Sequence, residues 1–63
     1  MCLSTAYANS RSAETVMAKN VTQIGFDGSQ IVLTDLMGAE VRVTGSLSLV
    51  DLVNGVVIIS TRE

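Results

Sequence analysis

The stretch VTQIGFDGSQIVLTDL, residues 21–36, decides the fold class of this chain. Residues 21–26 predict a strand, because Thr, Ile and Phe occupy alternate positions and share one face. Asp27-Gly28 follows, and Gly supplies the positive φ that a type I′ hairpin turn needs. Residues 30–36 then return as a second strand rich in Ile, Val and Leu. The stretch therefore predicts a β-hairpin.

Further strands are predicted on both sides of this hairpin. Residues 2–8 predict a first strand whose small side chains share one face, which would let another backbone approach closely. Residues 40–44 alternate cleanly, with Val41 and Val43 expected to point inward. Residues 56–59 are a continuous β-branched run that is apolar on both faces. Such a strand is either central and covered on both sides, or lies at an interface between chains.

The segments after the hairpin carry turn signals. Met37-Gly38 and Asn54-Gly55 predict two further turns, since both dipeptides are typical of tight connections. Gly45-Ser46 is expected to break the strand pattern. Residues 48–52 fit either a strand or a single helical turn. The spacing of these signals, 8–12 residues apart, is typical of small all-β domains.

The remaining connection precedes the hairpin. Residues 9–12 are a polar loop rich in turn formers, and residues 13–19 predict a short connector or the start of a strand. Without a convincing helix, the pattern predicts one all-β domain over residues 1–63. The expected architecture is a small, partly open β-barrel of five to six short strands, of OB or SH3-like size.

Composition excludes several functional classes. The net charge is −2, with four basic and six acidic residues and no His, so a nucleic-acid binder with a basic patch is not expected. The chain has only two aromatic side chains, one Tyr and one Phe, too few for a base-stacking platform. No apolar run is long enough to span a membrane, and no signal peptide is recognisable. We therefore expect a cytoplasmic protein.

The small size of the chain predicts a partner. A domain of about 60 residues buries only about 60% of the surface that its unfolded chain exposes. The single Cys leaves no disulfide within the chain, so a bound metal or oligomerisation must supply stability. Because 48% of the residues are apolar, we expect some apolar surface to pair with another chain.

Cys2 is the candidate metal ligand. It follows the initiator Met1 directly, and removal of Met1 would leave an amine and a thiol on one residue. These groups have reference pKa values of about 7.7–8.0 and 8.5, so a metal competes with protons for both near neutral pH. The backbone amide of Leu3 is placed to add a third donor. Amine, amide and thiolate donors together favour Ni(II) or Cu(II).

Three segments resemble one known family. They are MCLSTAY at residues 1–7, IVLTDLMG at residues 31–38 and VDLVNGVV at residues 50–57, and together they look like the CooT family, the small nickel-binding accessory proteins of carbon monoxide dehydrogenase maturation. The resemblance covers nearly the whole chain. It implies a barrel similar in fold to the HypC hydrogenase-maturation chaperones, a homodimer, and a nickel site that involves Cys2.

Ligand count and this resemblance together suggest a shared site. One Cys2 offers one nitrogen and one sulfur, whereas two copies related by a two-fold axis offer two of each. We therefore predict Ni(II) at a homodimer interface, held through Cys2 with the Leu3 amide, and a role as a metallochaperone with carbon monoxide dehydrogenase or its maturation proteins as possible partners.

Other functional classes remain open at this point. A HypC-like maturation chaperone would use the terminal Cys for an iron intermediate or for docking. A pure interaction module would use residues 56–59 as its dimer strand and leave Cys2 idle. An RNA-binding barrel is disfavoured by charge. Catalysis is not expected, because the chain has no His, its Ser and Thr residues lack a base partner, and its carboxylates fall at turns or on outward faces.

Overall fold

Five β-strands and one short 3-10 helix form the structure, a computed structural model that describes residues 3–61. In chain order the elements are β1 (Ser4–Ala8), the 3-10 turn (Ala13–Thr15), β2 (Val16–Asp27), β3 (Gln30–Asp35), β4 (Glu40–Asp51) and β5 (Val56–Thr61). The predicted all-β class and the predicted hairpin are confirmed. The first strand is shorter than predicted: β1 begins at Ser4 rather than at residue 2, and Cys2 itself lies outside the described residues.

The strands close into a barrel in the order β1-β2-β3-β4-β5. Sequential neighbours are antiparallel, and β5 returns to pair with β1 in parallel, from Thr5–Val56 to Ala8–Ile59. This last pairing joins the two ends of the described chain. Closure protects strand edges in a chain without Pro, because an edge that is paired cannot template association.

Two long strands allow five strands to close. The first half of β2 pairs with β1 and its second half with β3. In the same way, residues 40–44 of β4 pair with β3 and residues 45–51 pair with β5. The sequence suggested short strands only, but β2 and β4 each have 12 residues. They are long because each pairs with two neighbouring strands, one after the other.

Gly45 lies inside β4, so the predicted break at Gly45-Ser46 is wrong. Gly45 pairs with Thr61 of β5, and a Cβ at this position would collide with the carbonyl oxygen of Ser60. The residue marks a close approach of two backbones rather than a turn, which is one of the two usual reasons for Gly within a strand. Of the two alternatives for residues 48–52, the strand is correct up to Asp51.

A β-bulge bends β2. Ser4 pairs with Val21 and Ala6 with Ala18, so two steps along β1 match three steps along β2. Asn20, within the extra length, has a φ of 57°, in the left-handed region that Asn tolerates better than most residues. Bulges of this kind increase twist and curvature, and here the bulge separates the half of β2 that faces β1 from the half that faces β3.

The predicted turns are all present, although the type of the first differs. Asp27 pairs with Gln30, so Gly28 and Ser29 are the two central residues of the β2–β3 turn. Gly28 has a φ of +61°, whereas the φ of Ser29 is not positive. A positive φ at the first central position alone is the pattern of type II′, not type I′. The hairpin is the same in either case.

The interior is filled from every strand. The buried cluster consists of Ala6, Val21, Ile31, Leu33, Val43, Val57 and Ile59, with Met17, Ala18 and Ile24 packed against it. Val41, predicted inward, is 38% exposed. It pairs with the buried Leu33 and so shares a face with Val43, but it lies one residue from the start of β4, at the end of the barrel. In β5, the central and covered alternative is correct: the strand is paired with β1 and β4 on its two edges, and the consecutive residues Val56 and Val57, which point to opposite faces, are both buried. No edge of β5 is left free for the dimer strand considered above.

Candidate functional site

The predicted metal ligands, Cys2 and Leu3, immediately precede β1 in the sequence. Cys2 falls outside the described residues, and Leu3 is the first residue that the structure describes. Leu3 precedes β1 and its side chain is exposed. The structure therefore locates the point from which the amino-terminal residues extend, at the surface of the barrel.

The backbone of Leu3 rests on the turn between β4 and β5. A Cβ added to Gly55 would lie 2.9 Å from the Leu3 carbonyl oxygen, and the amide of Thr5 donates a 2.8 Å hydrogen bond to the carbonyl oxygen of Gly55. Gly55 itself has a φ of +68°, which an L side chain rarely adopts. Gly55 thus has two roles: its positive φ permits the turn, and its lack of a side chain leaves space for the backbone of Leu3.

Asp51 holds this turn in shape. Its carboxylate accepts hydrogen bonds from the amides of Val53 and Asn54, both at 3.1 Å, and from the Asn54 side-chain nitrogen at 2.8 Å. These bonds lower the pKa of Asp51 from its ordinary value of 3.8, with the Asn54 side chain as the largest cause, and the charge of Arg11 adds a small contribution. The carboxylate thus holds the backbone of the turn, and it belongs to no group of metal-ligating side chains within residues 3–61.

Apolar side chains are exposed around the same turn. Val53 is 94% exposed and Leu52 is 67% exposed at the turn itself, and Leu3 is 42% exposed beside it. We call these three residues the amino-terminal patch. In the second half of β4, Leu49 and Val50 are also exposed. Exposed apolar side chains grouped at one turn make a candidate protein–protein interface.

A small apolar cleft adjoins this patch. It has a volume of about 230 Å³, and its lining includes Ser4, Val21, Leu52 and Val57. Ser4, which is only 7% exposed, is the buried polar residue of the described chain. The cleft was not predicted from the sequence, because it forms where the β4–β5 turn comes next to β1 and β2, and these elements are far apart along the chain.

The other candidate donors do not assemble into a site. Within residues 3–61 no group of three or more metal-ligating side chains of the His, Cys, Asp or Glu type comes together. Asp27 and Glu40 pair with Arg42, at 2.9 Å and 3.8 Å. Asp35 accepts hydrogen bonds from two amides of its own turn. The carboxylates described here thus lie at turns or on outward faces, as predicted.

The methionines divide between interior and surface. Met17 packs against the buried cluster, as expected for a side chain that fills core space. Met37 is 89% exposed at the tip of the β3–β4 turn, so it does not fill the interior of the barrel. The two thioethers lie in different environments and form no shared donor set.

The sequence was compared with known proteins over its whole length. The sequence model of one family, described as "CO dehydrogenase accessory protein CooT", matches residues 1–60 of the 63. The chain belongs to the CooT family. No curated protein and no solved structure matches it.

Membership fixes the general role. The CooT family is one of accessory proteins of CO dehydrogenase, which indicates a role in support of that enzyme rather than catalysis by this chain. The resemblance noted from the three sequence segments is confirmed, and the match includes both Cys2 and Leu3. Within the part of the chain that the structure describes, no helix is long and apolar enough to cross a membrane.

Proposed function

We propose that this CooT family member is a cytoplasmic metallochaperone that supplies Ni(II) for the maturation of carbon monoxide dehydrogenase. Nickel is its cargo, bound through Cys2 with the backbone amide of Leu3, at the interface of a homodimer. The observation that carries the proposal is the seating of Leu3 against Gly55. It fixes the backbone of the residue next to Cys2 against the β4–β5 turn, where Leu52 and Val53 are exposed.

The chemistry of the donors supports nickel as the cargo. Cys2 is the one Cys of the chain, and the chain has no His, so a thiolate site must use this residue. The carboxylates of the described turns are already hydrogen-bonded or ion-paired. A thiolate with amine and amide nitrogen is a donor set that suits Ni(II).

Symmetry supports the dimer. A two-fold axis at the amino-terminal patch would bury Leu52 and Val53 against their copies and bring the two amino termini together. Two chains then supply twice the donors of one. The same contact removes apolar surface from water, at about 25 cal/mol per Å², which a 63-residue barrel needs for stability.

Native mass spectrometry with added Ni(II) tests the proposal. We expect a dimer that has lost Met1 and takes up one nickel ion per dimer. The Cys2→Ser variant should remain folded and dimeric but lose stoichiometric nickel. Met37→Ser is the matched control: it removes an exposed soft sulfur at a distant turn and should bind nickel as the unaltered protein does.

Two results would contradict the proposal. Tight nickel binding by Cys2→Ser would exclude the terminal thiolate as the ligand. A strong preference for Fe(II) over Ni(II) on competitive loading would instead favour a HypC-like chaperone, because a thiolate accepts both metals and softness alone does not separate them.

A further inference from the structure

A second cleft lies on the outer face of the barrel, over the β1–β2 pair. Its volume is about 480 Å³, and its lining is half polar. Thr5 and Tyr7 come from the outward face of β1, opposite the buried Ser4 and Ala6. The proposed nickel site does not use this cleft, and none of the patterns in the sequence predicted it.

The cleft gathers positive charge in an acidic protein. Arg11 and Lys19 both line it, and none of the carboxylates of residues 3–61 does. The third cation of residues 3–61, Arg42, is ion-paired with Asp27 and Glu40, whereas Arg11 and Lys19 make no ion pair within the described part of the chain. The two cations that make no ion pair within residues 3–61 thus share one concave surface.

The loop that carries Arg11 is held in place by hydrogen bonds. Asn9 exchanges two 3.0 Å hydrogen bonds with Thr61, one from each residue. The hydroxyl of Thr15 donates to the carbonyl oxygen of Ser10 at 2.6 Å, and its amide donates to that of Ser12 at 3.0 Å. The polar loop is therefore preorganised around the cleft, and less ordering is needed when a ligand binds.

We infer that this cleft is a docking site for an acidic segment of a partner protein. Charge complementarity decides the sign of the ligand: guanidinium and ammonium groups favour carboxylates. The apolar surface of Val16, together with the ring of Tyr7, suits an apolar side chain next to the acidic one. The cleft is open on one side, and two exposed cations hold a free small anion only weakly. A protein segment adds contacts beyond the charge.

The inference does not depend on the proposed nickel site. The positive charges on which the inference rests belong to Arg11 and Lys19, so the Cys2→Ser variant, which keeps both, should bind the segment unchanged. A variant that loses nickel binding but keeps peptide docking, or one that loses docking but keeps nickel binding, would show that the two sites are independent.

NMR titration of the ¹⁵N-labelled full chain tests the inference. The probe is an end-blocked hexapeptide of alternating glutamate and leucine. We expect saturable amide shifts in β1 and residues 9–19 that weaken at high salt, as for partly exposed charges. The same peptide with lysine in place of glutamate, and inorganic phosphate at equal concentration, should leave these amides unshifted.

Three single substitutions provide a matched comparison, since each removes one positive charge. Arg11→Gln and Lys19→Gln should each weaken peptide binding by about two- to fivefold, the range for one exposed ion pair, while Arg42→Gln should not. Equal weakening by Arg42→Gln would overturn the inference, because it would show a response to net charge alone. Phosphate binding as tight as that of the peptide would overturn it as well, in favour of a small-anion site.

Discussion

The carbonyl oxygen of Leu3 lies 2.9 Å from the position that a Cβ on Gly55 would occupy, closer than real Cβ contacts allow. The β4–β5 turn therefore supports the segment that leads to Cys2. Because Gly55 also needs its positive φ of +68°, a residue that reads as an ordinary turn Gly is also part of the support for the candidate site.

Gly55→Ala should destabilise the protein more than Gly28→Ala does. Both positions have a positive φ, which costs a non-Gly residue about 1–2 kcal/mol. Only Gly55 adds a backbone contact; a Cβ on Gly28 meets nothing within 4 Å. Urea unfolding of both variants measures the difference. Equal losses would show that the Leu3 contact relaxes at no cost.

Gly45→Ala should weaken the pairing of β4 with β5. The added methyl group would collide with the Ser60 carbonyl oxygen, and overpacking of this kind costs about 1–3 kcal/mol or more. Gly25→Ala is the control, because it too lies within a long strand but has open space around it. Thermal unfolding should show a lower midpoint for Gly45→Ala and little change for Gly25→Ala.

Val53→Asp should dissociate the proposed dimer. It places a charge in the amino-terminal patch, and an unpaired charge is costly to bury in an interface. Met37→Asp is the matched control, because Met37 is similarly exposed on the turn at the opposite end of β4. Sedimentation velocity should give monomers for Val53→Asp and dimers for Met37→Asp. Dimers in both variants would place the interface elsewhere.

Acidification should loosen the β4–β5 turn. The folded-state pKa of Asp51 is lowered below 3.8, chiefly by the Asn54 side chain, so the ionised form is favoured in the folded protein. Its contribution is complete above 3.8 and is lost as the pH falls through the lowered value. Amide hydrogen exchange at Val53 and Asn54 should therefore show reduced protection in this acid range.

Asp51→Asn is the control for that pH dependence. It removes the ionisable group and should make protection at Val53 and Asn54 independent of pH over the same range, after correction for intrinsic exchange. A retained pH dependence would assign the effect to another carboxylate.

The sequence by itself determined the all-β class and the positions of the turns. The Asp27-Gly28, Met37-Gly38 and Asn54-Gly55 signals all lie at turns, because turn chemistry depends on residues that are adjacent in the chain. It also determined the candidate ligand, since Cys2 is the one thiol available. Whether Cys2 binds nickel stays a prediction.

Only the tertiary structure decided how the barrel closes and what lies beside the site. β1 pairs with β5 in parallel, and Asn9 contacts Thr61, 52 residues away. Such long-range contacts produce no pattern in the local sequence. For the same reason the sequence predicts a break at Gly45: a Gly that allows two backbones to approach closely cannot be distinguished, in sequence, from a Gly that makes a turn. The cleft of Arg11 and Lys19 likewise exists only once β1 and β2 are paired, because pairing brings together charges that the chain keeps apart.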